Sequence, residues 1–174
     1  MKFLKYSFLF LLMSCTTSKV VTDYDAEINF NKFKTYSFFE DLGAGLNDLD
    51  VKRVVTVLSD ELKQKGFREA ESPDFYINVI TKFSESQNNN TIGIGIGSGG
   101  RSGGLGISGG IPIGGKKLNE EFKIEFVNAK TDLVFWEGIL NSTIKEKRKP
   151  AEKKLHFKEI INKILTKYPP KNKN

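Results

Sequence analysis

The hydrophobic residues of this chain repeat with two different periods in separate stretches, which restricts it to folds that combine strands with helices. Phe75, Ile77, Val79 and Phe83 keep to alternate positions, and Phe122, Ile124 and Phe126 alternate with Lys123 and Glu125. Spacing by two puts the apolar side chains on one face of a half-buried strand. Residues 133–144 read as a longer strand after the turn-like Asn128-Ala129-Lys130-Thr131-Asp132, so 122–144 is predicted to form a β-hairpin. Two further strands are predicted at 20–24 and 35–39, both rich in β-branched or aromatic residues. Elsewhere the period lengthens. Val51, Val54, Val55, Leu58 and Leu62 fall at helical spacing, with Asn47 or Asp48 as N-cap and Gly66 just past the end. Phe157, Ile160, Ile161, Ile164, Leu165 and Tyr168 repeat the pattern, opened by Pro150 and stopped by Pro169-Pro170. The expected class is therefore α+β: a mostly antiparallel sheet with two amphipathic helices packed on one face.

One stretch fits neither period. Most of the 16 glycines crowd into the insertion at 88–117. There Ile92, Ile94, Ile96, Leu105 and Ile107 alternate with small residues, and 98–104 has the composition of a turn. Glycine weakens strands and removes the side chains that pin register, so the reading is a loose, Gly-rich hairpin projecting from the sheet. Its five aliphatic side chains and its ladder groups make it the candidate partner-binding segment by strand addition. Deleting its tip is expected to leave the domain's stability almost unchanged.

The first 14 residues read as address, not fold. Lys2 and Lys5 precede an apolar run over 6–13, shorter than the roughly 20 residues a membrane span needs. The run ends in Leu12-Met13-Ser14-Cys15, which resembles the bacterial lipobox. That resemblance implies peptidase recognition through Leu12 and Ser14, a diacylglyceryl thioether on Cys15 and cleavage before it. Each buried methylene contributes ~0.8 kcal/mol, so two or three acyl chains hold a protein to a membrane where one chain is marginal. Residues 15–19 then form a lipidated tether, 20–170 a single domain and 171–174 a basic tail. No acidic residue follows Cys15 directly. By resemblance to Gram-negative lipoproteins this favours the periplasmic face of the outer membrane.

Composition removes several chemistries. The chain has one Cys and one His, too few for a disulfide framework, a Cys/His zinc site or a Cys/His dyad, and no metal or cofactor is expected. Gly95-Ile96-Gly97-Ser98-Gly99-Gly100 matches a dinucleotide fingerprint, but more glycine follows where a helix must open. Gly110 to Lys117 comes within one residue of a P-loop, with Lys117 in place of the Ser or Thr that holds magnesium. Neither supports nucleotide binding. His156 lacks a serine motif and reads as a flanking residue of the last helix. Asp23, Asp25, Asp74, Glu120 and Glu121 read as turn, cap and surface residues. The 27 basic against 21 acidic side chains make the chain mildly basic, with a cluster at Lys145, Lys147, Arg148, Lys149, Lys153 and Lys154. Nucleic acid is a poor partner for an exported chain; anionic headgroups or an acidic envelope polymer fit the cluster better. Trp136 reads as core.

Short motifs follow one another in order: Asp23-Tyr24-Asp25, Phe30-Asn31-Lys32-Phe33-Lys34-Thr35-Tyr36, Lys65-Gly66-Phe67 with Pro73-Asp74-Phe75, Val127-Asn128-Ala129-Lys130-Thr131 with Trp136-Glu137-Gly138, and Ile164-Leu165 with Tyr168-Pro169-Pro170. This set, over almost the whole mature chain, resembles the bacterial lipoproteins of the domain of unknown function 4136 family. Asn128 and Asp132 stand where members more often have Asp and Gly, a change a turn tolerates because Asp can enter the left-handed region. The resemblance implies an envelope lipoprotein with an α+β domain and no assigned activity. The expectation is a non-enzymatic binding or envelope-assembly module whose partner is an envelope protein, lipid or glycan. The rival is a hydrolase of envelope glycan or lipid working through a carboxylate pair that sequence does not locate.

Overall fold

The computed structural model describes residues 19–86, 91–92, 111–112 and 116–170, the two short pairs by their backbone alone. Strand β1 (Val20–Tyr24) is followed by a 3-10 turn at Phe30–Lys32 and by β2 (Thr35–Phe38). Helix α1 (Asp48–Gln64) begins where Asn47 Oδ1 accepts a hydrogen bond from the Asp50 N–H at 3.1 Å, so Asn47 is the cap. It gives way at Gly66, whose φ of 87° only glycine adopts freely. Then come β3 (Arg68–Glu69), β4 (Phe75–Glu85), β5 (Thr91–Ile92), β6 (Ile111–Pro112), β7 (Lys117–Asn128), β8 (Val134–Lys145) and α2 (Pro150–Leu165). Pro150 starts α2, where its missing N–H costs nothing, and Glu152 reaches back to accept from the Lys149 N–H at 2.7 Å.

Six strands form one mixed, mostly antiparallel sheet in the order β1-β8-β7-β4-β2-β3. The predicted hairpin is its centre, β7 pairing with β8 through the turn, where Asp132 holds a φ of 54°. β4 lies antiparallel on the other side of β7, and β1 returns to pair antiparallel with β8, Val20 opposite Leu140. The parallel contacts are confined to β2 with β4 and with β3. A parallel pair needs a crossover, and α1 supplies it between β2 and β4. Past β2, the loop before α1 continues along β4, with Gly43 N–H donating to Val79 O and Thr81 N–H to Ala44 O. A Cβ on Gly45 would stand 1.9 Å from the Thr81 carbonyl oxygen, so this approach requires glycine.

Both helices cover the same face. Phe75, Ile77, Val79, Phe122, Ile124 and Phe126 point into one core with Val54, Leu58 and Leu62 of α1 and Phe157, Ile161 and Ile164 of α2. A β-bulge falls where β8 meets Phe126 and Val127, and it lets two successive residues, Phe135 and Trp136, both turn inward. Phe135 stacks on Phe33 with ring centroids 4.2 Å apart, and Trp136 is fully buried, as its place in an alternating strand predicts. The opposite face is polar along its middle. Lys123 pairs with Glu125 at 2.5 Å, which holds its ammonium above the ordinary lysine range, and Asn78 donates to Glu125 at 3.0 Å.

β5 and β6 pair antiparallel, Ile92 opposite Ile111. Of the predicted hairpin, Ile94, Ile96, Leu105 and Ile107 lie outside the described residues, as do Leu12, Ser14 and Cys15.

Candidate functional site

Beyond Thr81, the inward-facing positions of three neighbouring strands are no longer uniformly apolar. Phe83 follows Thr81 on β4, Glu120 precedes Phe122 on β7, and Ser142 follows Leu140 on β8; the register sets Phe83 opposite Glu120 and Glu120 opposite Ser142. Across this row runs α2, contributing His156, Glu159, Ile160 and Lys163. Between them lies an open groove of about 1050 Å3. Phe83 forms part of its surface and is 42% exposed.

Glu120 is the unusual member. Its residue is 1% exposed. One carboxylate oxygen, Oε2, accepts from Ser142 Oγ at 2.9 Å and lies 2.5 Å from His156 Nε2. The other, Oε1, is buried with no partner among the described residues. A carboxyl removed from water costs several kcal/mol unless donors replace the lost hydration, and each orphaned oxygen forfeits about 1–3 kcal/mol. The carboxylate is thus a half-satisfied acceptor enclosed by the fold, its side chain without accessible surface.

The arrangement is not that of an activated serine. Nucleophilic catalysis needs a histidine between the serine and the acid, so that the imidazole takes the hydroxyl proton. Here the acid is central. Ser142 donates its proton to Glu120, and His156 contacts the same oxygen. What the cluster does is hold α2 to the sheet around an enclosed acceptor, beside a groove lined by Phe83 and Lys163.

Glu120 and His156 correct the sequence reading. Glu120 is not a turn, cap or surface residue, and His156 is more than a helix flank, since it ties α2 to β7. The signal was present in the period: Glu120 is in phase with Phe122, Ile124 and Phe126, and Ser142 with Leu140 and Ile144. The other acids fit their expected roles better. Asp74 Oδ2 accepts from the Lys34 and Thr35 N–H groups at 2.8 and 2.9 Å, Asp25 Oδ1 accepts from the Glu27 N–H, and Glu121 pairs with Lys82 at 3.2 Å. The basic cluster is not wholly solvated, because Lys153 donates to the buried Asp50 at 2.6 Å. Lys117 opens a strand, which is incompatible with a P-loop helix start. Among the described residues no three His, Cys, Asp or Glu side chains gather as a metal site.

No curated protein matches the chain. A PDZ domain protein from Parabacteroides distasonis ATCC 8503 is similar in structure over 89% of this chain, with a TM-score of 0.58 and 17% identity; the chain spans 36% of that protein's length. A PelC variant from Paraburkholderia phytofirmans, a dodecamer, aligns over 86% of this chain and 95% of its own, with a TM-score of 0.50 and 9% identity. At such identities the likeness is one of fold. The family model described as Domain of unknown function (DUF4136) matches residues 20–170, and the chain belongs to that family.

Proposed function

We propose that this protein is a lipid-anchored component of the cell envelope whose domain is a non-enzymatic binding module, taking its ligand in the groove between α2 and the row Phe83, Glu120 and Ser142. The observation that supports binding is the groove itself: a concave surface with an aromatic side chain and a few convergent polar groups, the usual make-up of a ligand site. The anchor rests on Leu12-Met13-Ser14-Cys15, and the absence of an acid directly after Cys15 favours the periplasmic face of the outer membrane. Cys15→Ala is expected to release the protein from the membrane fraction and to abolish acylation; retention with acylation intact would refute the anchor. Placing a photo-crosslinking amino acid at the exposed Glu159 position of the full-length protein is expected to capture envelope material in cells.

A hydrolase is the second reading, favoured by one observation: Glu120 and Glu159 line the same groove. Against it, the contacts of Glu120 Oε2 with Ser142 and His156 tie that carboxyl to the fold. Turnover of envelope glycan or lipid by the full-length protein, lost in both Glu120→Gln and Glu159→Gln, would establish the enzyme and displace the binding module.

A further inference from the structure

The tether and a set of exposed lysines meet at one end of the sheet. Val20 pairs with Leu140, and β8 runs five residues further, to Lys145. At about 3.3 Å per residue that end lies about 17 Å beyond Val20, and the five residues from Cys15 to Val20 span at most about 18 Å. β1 runs antiparallel to β8, so its chain enters from this side. The opposite end is further away: β8 begins six residues before Leu140, and the 129–133 turn projects past that. An anchor on Cys15 therefore holds the Lys145 end nearest its membrane.

That end is basic. Lys117 stands directly opposite Lys145, and Lys147 and Lys149 follow in the loop that leads into α2, with Glu146 the single acid in 145–149. All four lysines are exposed, and none is ion-paired among the described residues. Neighbouring Lys82, Lys116 and Lys153 are already taken, by Glu121, Glu85 and Asp50. Like charges set opposite each other on two strands repel, so Lys117 and Lys145 carry a cost that an external anion relieves. The open face of the sheet has the other sign. There Asp23 lies opposite Glu137 and Glu137 opposite Glu125, and Lys123 serves both glutamates. An anionic bilayer strengthens binding about fivefold for each lysine within a Debye length of about 8 Å and repels such a row of carboxylates.

We propose that the domain docks end-on against the anionic phospholipid headgroups of the membrane that holds its anchor, through Lys117, Lys145, Lys147 and Lys149. This rests on the lipid-anchor reading and adds the orientation of the domain, with the Lys145 end towards the bilayer and the 129–133 turn away from it. The bilayer is favoured over an acidic polymer because a tether this short keeps the headgroups at a high effective concentration beside these lysines.

The test uses the full-length protein, purified in detergent and reconstituted on vesicles of phosphatidylcholine with or without phosphatidylglycerol. A fluorophore is attached through Ala151→Cys, at the exposed start of α2, or through Thr131→Cys, in the exposed far turn, and quenched by nitroxide-bearing headgroups. With phosphatidylglycerol the label at 151 is expected to be quenched and that at 131 spared. Raising the salt, or leaving out the anionic lipid, is expected to weaken the quenching at 151. The triple variant Lys117→Gln, Lys145→Gln, Lys147→Gln is expected to lower the docked-to-undocked ratio roughly a hundredfold, with its melting temperature in detergent unchanged. Equal quenching with and without phosphatidylglycerol, quenching at 131 as strong as at 151, or a triple variant that behaves as wild type overturns the proposal. If alginate, an acidic polymer, binds saturably while phosphatidylglycerol changes nothing, the lysines serve a polymer and the bilayer proposal fails. Flotation separates the proposal from the anchor reading. Protein that floats with both vesicles while the label at 151 stays unquenched keeps the anchor and loses the docking. Protein that floats only with phosphatidylglycerol, and no longer does so in the triple variant, keeps the docking and loses the anchor. Protein that floats with neither loses both.

Discussion

Gly138 of β8 lies so close beneath Ile164 of α2 that a Cβ on it would stand 2.5 Å from the Ile164 Cγ2 atom and 2.8 Å from Cη2 of Trp136. The missing side chain is what lets α2 settle onto the sheet, and it explains why Trp136-Glu137-Gly138 forms a unit: one ring inward, one carboxylate outward, one gap. Gly138→Ala is therefore expected to destabilise the domain by about 1–3 kcal/mol, the usual cost of overpacking. Urea unfolding measures it. In an Ile164→Ala background the same change is expected to cost less, because the closer clash is gone while that with Trp136 remains; equal costs in both backgrounds would show that the Ile164 contact does not govern the packing.

Asp74 joins the start of β4 to the start of β2. Burial pushes its carboxyl up, but the Lys34 and Thr35 N–H groups and the Thr35 hydroxyl outweigh that and hold it below the usual aspartate range. A carboxylate whose folded value is depressed stabilises the fold above its unfolded value near 3.9, and that stability is lost as pH falls through the folded value. Asp74→Asn is expected to lower the melting temperature at pH 7, by a loss of about 1–2 kcal/mol. The gap from wild type should narrow as the pH is taken below 4. A gap independent of pH would assign the loss to geometry alone.

Asp50 links the two helices through charge. It is 5% exposed, accepts from Asn47 and Arg53 on its own helix and from Lys153 on α2, and these donors hold it low against the opposing effect of burial. Lys153→Met is expected to cost about 1 kcal/mol, and Asp50→Ala about 2–4 kcal/mol, since it also leaves two cations unpaired near the surface of the core. In the double variant the Lys153 change should cost almost nothing. Additive losses in denaturant titrations would mean that the two side chains do not act as a pair.

Tyr168 closes the core beside Phe126 and Trp136, with ring centroids at 4.7 and 5.1 Å. Its hydroxyl is buried without a partner among the described residues, and burial pushes the phenol far above its ordinary value. Removing an unsatisfied polar group and keeping the ring is expected to leave stability unchanged or raise it by up to about 1 kcal/mol in Tyr168→Phe. A clear loss of stability on thermal melting would reveal a donor or acceptor, such as a bound water, that the hydroxyl serves.

The local elements were legible because their determinants are local. A period of two in 75–83 and 122–126, a helical period in 51–62 and 157–168, Asn47 or Asp48 as cap and Gly66 as stop each depend on neighbours a few residues away; β4 and α1 form within a residue or two of their expected places, whereas β7 starts at Lys117, well before Phe122, and α2 ends at Leu165, short of Tyr168. The ordered motifs carried the family for the same reason, as they are short and contiguous. β3, only two residues long, left no periodic trace. The pairing of β1 with β8 and the parallel run of β2 beside β4 were likewise beyond reach, because backbone ladders form between any two strands and their partners are chosen by what the whole core buries. Glu120 shows where the two levels meet. Its phase with Phe122 set its direction in the sequence alone. That a histidine 36 positions away would meet it, a serine from the next strand donate to the same oxygen and the second oxygen be buried without a partner among the described residues was decided only when α2 came down across the sheet. The energy of a buried charge depends on every group around it, and those groups are assembled by tertiary packing.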